Sequence, residues 1–249
     1  VACTVEGVNS YRSVIQMTEP GVPAISMTDG ARLTLAGVGL TGTGVTDAAS
    51  GVVLARSAAA NTFGLIFDDV VIQQFGGDGI HGVEANVIVS SFKKVTCESL
   101  GGFGFNLTGV PGGAAGTSVD FASCYAVACA KSGFHLQKMN YSRLGACGVD
   151  SSGTGYVLEE CEGIAFAGCG TEGVIAGAAG GMYADGTSFR VDDSSGVDFG
   201  YGCWTYGNSH LVLHVSGGSS GVRGVIAENS PTAGALGAVA VDSGCSYGL

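Results

Sequence analysis

Shifting residues 133–150 onto residues 155–172 superposes eight positions at an interval of 22 residues. Gly133 falls on Gly155, Phe134 on Tyr156, Leu136 on Leu158 and Met139 on Cys161. The match continues with Leu144 on Phe166, Cys147 on Cys169, Gly148 on Gly170 and Asp150 on Glu172. A period of this length marks a solenoid, in which each repeat is one supersecondary unit stacked on the next. The pattern extends in both directions with spacings of about 22 to 29 residues. A "Gly-apolar-x-apolar" unit recurs as "GVVL" at 51, "GFNL" at 104, "GFHL" at 133, "GYVL" at 155 and "GMYA" at 181, with a relative, "GIHGV", at 79. A second unit recurs as "VIVSSF" at 87, "VDFASC" at 119, "IAFAGC" at 164 and "VDFGYGC" at 197.

Within each unit apolar and polar residues alternate over a few positions, the period of a strand, and no helical stripe outlasts a turn. Leucine-rich repeats are excluded by the missing LxxLxL consensus. The chain therefore predicts an all-β fold, a right-handed single-stranded parallel β-helix with three strands per coil and nine or ten coils. One such domain spans 1–249. Matching letters stack in ladders about 4.8 Å apart, and glycines serve the corners that need positive φ. The 45 glycines among 249 residues fit this, and with only 4 prolines and no G-X-Y period the chain is not collagen.

Charge narrows the functions. The net charge is −11, with 10 Lys and Arg against 21 Asp and Glu. That excludes the cationic footprint of a nucleic-acid partner. No apolar run is long enough to predict a membrane span. The opening "VACTVEGVNS" has neither an initiator Met nor a signal-peptide pattern, as in a processed product or excised fragment. The nine Cys are odd in number, and Cys124, Cys147 and Cys169 recur at one repeat position. They read as small buried hydrophobes made in a reducing cytosol. No CxxC pair occurs and the four His are scattered, so no metal or other cofactor is expected.

Asp150 and Glu172 are the sharpest chemical signal. In register they stand one coil apart, their Cα atoms about 5 Å from each other. With Cys147, Val149, Cys169 and Thr171 turned inward, both acids turn outward, in a column taken to hold Val127 and Val95 in the preceding coils. Two neighbouring carboxylates repel, which raises one pKa and prepares an acid beside a base or nucleophile. Paired carboxylates are the machinery of glycoside hydrolysis. The plain alternative is two solvated acids at turns.

These segments resemble a known family. "VEGVNSYRSVIQ", "FDDVVIQQFGGDGI", "GTSVDFASCYAVACAKSGFHL", "YSRLGACGVD" and "GYVLEECEGIAFAGCGTEG" resemble the pectate-lyase-like β-helix of bacteriophage tailspikes and capsule depolymerases, over about residues 5 to 175. The resemblance implies a virion tail protein, made in the host cytoplasm and acting at the bacterial cell surface. It implies a homotrimer that binds and cleaves surface polysaccharide, capsule or O-antigen, mostly as a glycosidase and sometimes as a lyase. Asp150 and Glu172 match its acidic positions. A virion-binding head and a C-terminal trimerisation domain are not evident, as in the core of a longer tailspike.

Other constellations are substrate-binding candidates. Asp192, Asp193 and Asp198 lie near Tyr201, Trp204 and Tyr206, and aromatic faces beside carboxylates suit sugar rings. Glu159, with Glu160 and Glu162, is placed as a groove wall beside the acid pair, while Tyr156 and Asp185 are added from neighbouring coils. Lys131, Lys138 and Arg143 with His135 and Tyr141 offer a lyase alternative. "GVGLTG" at 37 and "GGSSG" at 217 lack the strand–helix context of a dinucleotide or nucleophile-elbow motif. The reading is thus a polysaccharide depolymerase, preferably a hydrolase, of a glycan more neutral than anionic. A non-catalytic glycan-binding spike or adhesin is the rival.

Overall fold

The computed structural model describes residues 2–28, 32–55, 61–110, 116–177, 181–207, 210–228 and 239–248. Among them every strand pairing is parallel and no helix occurs. The chain is a right-handed parallel β-helix with three strands per coil. One coil shows the plan: Arg143–Gly145, Gly148–Asp150 and Thr154–Glu159 form three successive faces. The next coil lays Ala165–Ala167, Gly170–Glu172 and Phe189–Asp192 on top. Long strands such as Val87–Leu100 and Asp198–Tyr206 round a corner and so join the first and second faces into one 16-stranded sheet. The third face is a separate sheet of nine strands, hence about eight full turns, slightly fewer than the nine or ten expected.

The 22-residue register is the observed one. Phe134 pairs with Tyr156, Leu136 with Leu158, Leu144 with Phe166, Gly148 with Gly170 and Asp150 with Glu172. The "GMYA" unit at 181 departs from expectation. It lies in the connection between Gly170–Glu172 and Phe189–Asp192, and the latter strand takes its place on the third face.

Interior side chains stack in aromatic ladders. Phe105, Phe134, Tyr156 and Phe189 stack with ring centroids 4.4, 5.1 and 4.9 Å apart. Phe92 stacks on Phe121 and Phe166 on Phe199, and these rings meet the first ladder edge-on. Each such contact adds about 0.5–1.5 kcal/mol beyond area burial. Cys124, Cys147, Cys169 and Cys203 are buried free thiols in the same interior.

Many of the described corners turn through a left-handed residue. At the corner after the second face these are Ser99, Ala128 and Ser151 (φ 53, 53 and 47°), then Gly173 and Gly207. Glycine is therefore not the general corner residue that composition implied. In the middle coils Ser, Ala, Lys, Asp and Gln take such positions, while glycine holds corners in the first coils, as at Gly37 and Gly64, and again towards the C-terminus. Such backbone costs an L-residue about 1 kcal/mol or more, which the main-chain hydrogen bonds to the coils above and below offset.

Candidate functional site

The second face carries the acid pair. Cys147, Val149, Cys169 and Thr171 are buried, so the alternation of a strand turns Gly148, Asp150, Gly170 and Glu172 outward. Asp150 and Glu172 are direct register partners. Their column runs through Gln73, Glu98, Val127, Asp150, Glu172 and Tyr206. Val95, expected in it, belongs elsewhere: it is buried in the core and pairs with Val70. The strand Val87–Leu100 spans two faces, so a count back from one face lands on the wrong letter. The column is thus polar on both sides of Val127, not apolar until Asp150.

Two residues earlier along the same strands runs a second outward column: Tyr125, Gly148, Gly170, Trp204. Tyr125 leans over Gly148, where a Cβ would stand 2.8 Å from its ring. Trp204 leans the other way over Gly170, where a Cβ would stand 2.5 Å from the indole. The two glycines are the clearance that lets both rings fold toward each other over adjacent rungs. The result is an aromatic shelf, its rings 38% and 41% exposed. A crevice of about 40 Å3 lies between them, bordered by Glu172.

Hydrogen bonds orient one acid of the pair. The Tyr125 hydroxyl donates to Asp150 Oδ2 (3.1 Å) and the Ser151 hydroxyl to Asp150 Oδ1 (2.7 Å). Burial and then the charge and hydrogen bond of Asp150, with Glu172 beyond, push the Tyr125 phenol up to about 12. Tyr125 therefore stays a donor at neutral pH. Among the described residues the Glu172 carboxylate has no hydrogen-bonded partner.

The remaining residues singled out from sequence scatter. Trp204 and Tyr206 join the acid pair, Tyr206 as the register partner of Glu172. Tyr156 is 1% exposed and belongs to the core ladder, its hydroxyl donating to the carbonyls of Cys147 and Gly170, so no surface ligand reaches it. Asp185 pins a loop, accepting from Thr154, the Thr187 N–H and Arg190. Asp192 accepts from Ser216 at the end of the third face, and Asp198 pairs with Arg223. Asp193 is a corner residue bordering a groove of about 550 Å3 with Glu160 and Glu162. That groove and Glu159 lie at the far end of Thr154–Glu159, a strand about 16 Å long that begins beyond Ser151's corner, so they do not wall the acid pair.

The cations expected for a lyase do not converge. Lys138 pairs with Glu160, Arg143 lies by Asp120, and the Lys131 ammonium sits 4.8 Å from the Phe103 ring centroid. Tyr141 reaches only Glu162. His135 is buried in a closed network. Asp78 accepts from the Asn106 amide and the Phe103 N–H, which turns the Asn106 carbonyl to His135 Nδ1 at 2.9 Å. Nδ1 must then carry hydrogen, and Nε2 lies 2.6 Å from Glu159 Oε2, which also accepts from Tyr183. With both ring nitrogens engaged, His135 has no lone pair to offer a substrate. Burial raises the Glu159 and Asp78 carboxyls, but the hydrogen bonds and charge of His135 and His81 respectively outweigh it and hold both below their ordinary values.

Tyr125 and Ser151 went unnoticed in the sequence. Carrying the Gly148–Gly170 column one coil back would have found Tyr125, and Ser151 is the corner residue beside an acid. Among the described residues no three His, Cys, Asp or Glu gather as metal ligands, and no helix is long and apolar enough to cross a membrane.

Fold and site together define a parallel β-helix bearing an acid pair beside an aromatic shelf. No protein-family model matches the chain, and no curated protein matches it by sequence. Among solved structures it is similar to the A-module of the Azotobacter vinelandii mannuronan C-5 epimerase AlgE6, at 12% identity and TM-score 0.45, over 98% of this chain and 83% of that one. It is also similar to the full-length tailspike protein 2 of the Escherichia coli O157:H7 bacteriophage CAB120, at 15% identity and TM-score 0.45, over 99% of this chain and 37% of that one.

Proposed function

We propose that the chain binds and hydrolyses a bacterial surface polysaccharide, capsule or O-antigen, on its second face. One observation carries the reading: two carboxylates in register on an outward column, flanked by two aromatic rings that glycines let lie against the backbone. Aromatic faces take the apolar faces of sugars, and a paired carboxylate site takes the glycosidic bond. Glu172, without a hydrogen-bonding partner among the described residues, delivers a proton to the leaving oxygen. Asp150, oriented by Tyr125 and Ser151, is the base toward water or the nucleophile toward the anomeric carbon. Water supplies the atoms that cap both products. In this reading the chain is part of a phage tailspike, works as a homotrimer and acts at the bacterial cell surface.

Reducing-end release from purified capsules and O-antigens tests the proposal. Asp150→Asn and Glu172→Gln should each lose release by about 10²–10⁴-fold while retaining binding. Unchanged release in both variants sinks it. A second reading, a spike that binds glycan without cleaving it, draws on the same shelf and on the hydrogen bonds that already occupy both Asp150 oxygens. Binding without release by the wild-type chain would select it.

A further inference from the structure

Along each strand of the second face the order is fixed: shelf column, then acid column two residues on, then the corner. At that corner, on the side of Asp150 away from the shelf, opens a groove of about 520 Å3. Val45, Leu100, Ala128 and Ala130 give it apolar walls, and Ser99 and Ser151 supply its hydroxyls. Ser151 belongs to both places, bordering the groove while its hydroxyl donates to Asp150. From Tyr125 to Ala128 is three residues, about 10 Å of extended chain, which leaves room for one sugar on each side of the acids.

Resting on the function proposed above, we propose that this corner groove is a second sugar subsite, so that the glycan crosses the coils along the strands with its scissile bond over Asp150 and Glu172. Two features select the ligand. The groove meets the acid site at Ser151 and opens from there past Ala128 and Ser99, so its occupant is the next sugar of the same chain. Its walls are mainly methyl and methylene groups, and no charged side chain borders it. A sugar presenting a methyl group, as a 6-deoxy sugar or an acetyl ester or amide, fits such walls, whereas a bare uronate carboxylate would meet no cation there to pair with. The aromatic shelf holds the neighbouring sugar by stacking. Chain interiors as well as ends can lie across this open track, so cleavage is endo-acting.

The test uses the full chain carrying Glu172→Gln, which blocks turnover, on an array of bacterial O-antigens and capsular polysaccharides printed before and after mild alkali. Ala130→Trp and Val45→Trp, both at exposed positions, add bulk to the groove from two of its lining residues. Each should weaken binding at least tenfold at an unchanged melting temperature, and the glycans bound should carry methyl-bearing sugars. Loss of binding after alkali assigns the methyl to an O-acetyl ester; retained binding assigns it to a 6-deoxy or N-acetyl group. If Trp204→Ala removes binding while both groove variants bind as the parent does, the groove proposal fails and the function stands. If the bound glycans lack methyl-bearing sugars, the assigned ligand class fails. If the parent binds no glycan, the function itself fails and the subsite with it.

Discussion

Trp204 leans over the backbone of Gly170 so closely that a methyl group there would stand 2.5 Å from the indole. The two residues are register partners, 34 positions apart in sequence and one rung apart in space. An aromatic ring that lies down on a strand needs a rung without a side chain beneath it. The pairing of Gly148 with Gly170 supplies two such rungs in a row.

Gly170→Ala should lift the ring. Trp204 is the only tryptophan, so emission reports on it alone. We expect a shift to longer wavelength as the indole moves into water, weaker glycan binding, and a stability change within about 1 kcal/mol, because the obstructing atoms are the end of a surface side chain. An unchanged spectrum would mean that the ring does not rest on Gly170.

Tyr125→Phe removes one of the two donors to Asp150 and keeps the aromatic face. The expected result is a drop in kcat of about 3- to 10-fold, or about 0.7–1.4 kcal/mol, with KM near its wild-type value. A change in KM alone would show that the hydroxyl contacts the glycan and does not position the acid.

Acid should unfold the protein through its buried network. Glu159 and Asp78 both titrate below their ordinary values in the folded chain, so they stabilise it above the unfolded carboxyl range. That contribution disappears as pH falls through the folded values. Urea melts from pH 7 down to pH 2 should show the decline setting in below about pH 4.5, the ordinary glutamate value. Glu159→Gln should flatten it. The same change also takes the carboxylate acceptor away from the buried His135 Nε2 and the Tyr183 hydroxyl, so the variant should be less stable than wild type at neutral pH. An acid limb identical to wild type would remove Glu159 from the account.

Thiol titration should separate surface from interior. Cys3 is exposed and Cys245 half-buried, while Cys97, Cys124, Cys129, Cys147, Cys161, Cys169 and Cys203 are buried. Burial pushes the Cys161 thiol up to about 12 and raises Cys97 as well, which suppresses the reactive thiolate. A disulfide reagent at neutral pH should modify Cys3 quickly, Cys245 more slowly, and the other seven only in denaturant. Fast reaction of a third cysteine would show that a coil opens.

The β-helix was legible because stacking writes the same letter class into every coil: Phe134 above Phe105, Cys169 above Cys147, Glu172 above Asp150. That regularity also exposed the acid pair. It failed where a coil changes length. The connection before Phe189–Asp192 is longer than its counterparts, and "GMYA" was read as the strand it displaces. It failed again where a strand bends through a corner, which put Val95 in the column that Glu98 occupies. Tyr156 was read as a surface residue because alternation alone does not say which parity faces in; its partners Phe134 and Phe189 do. The shelf was half visible, since Trp204 stood out while Tyr125 lay three rungs away. Corner residues such as Ala128 and Ser151 carry no compositional mark of positive φ, because neighbouring coils impose it.

The main chain carries the scaffold, and its outward letters are free to vary. Val127 stands one rung below Asp150 in the same column, its backbone bonded like that of its neighbours. Writing Val127→Asp would join Glu98 to the acid pair in one row of four without removing a main-chain hydrogen bond. Chemistry on such a frame can migrate like a bead on an abacus, one place at a time, and a lineage can retarget its glycan by small moves while the spindle underneath stays as it was.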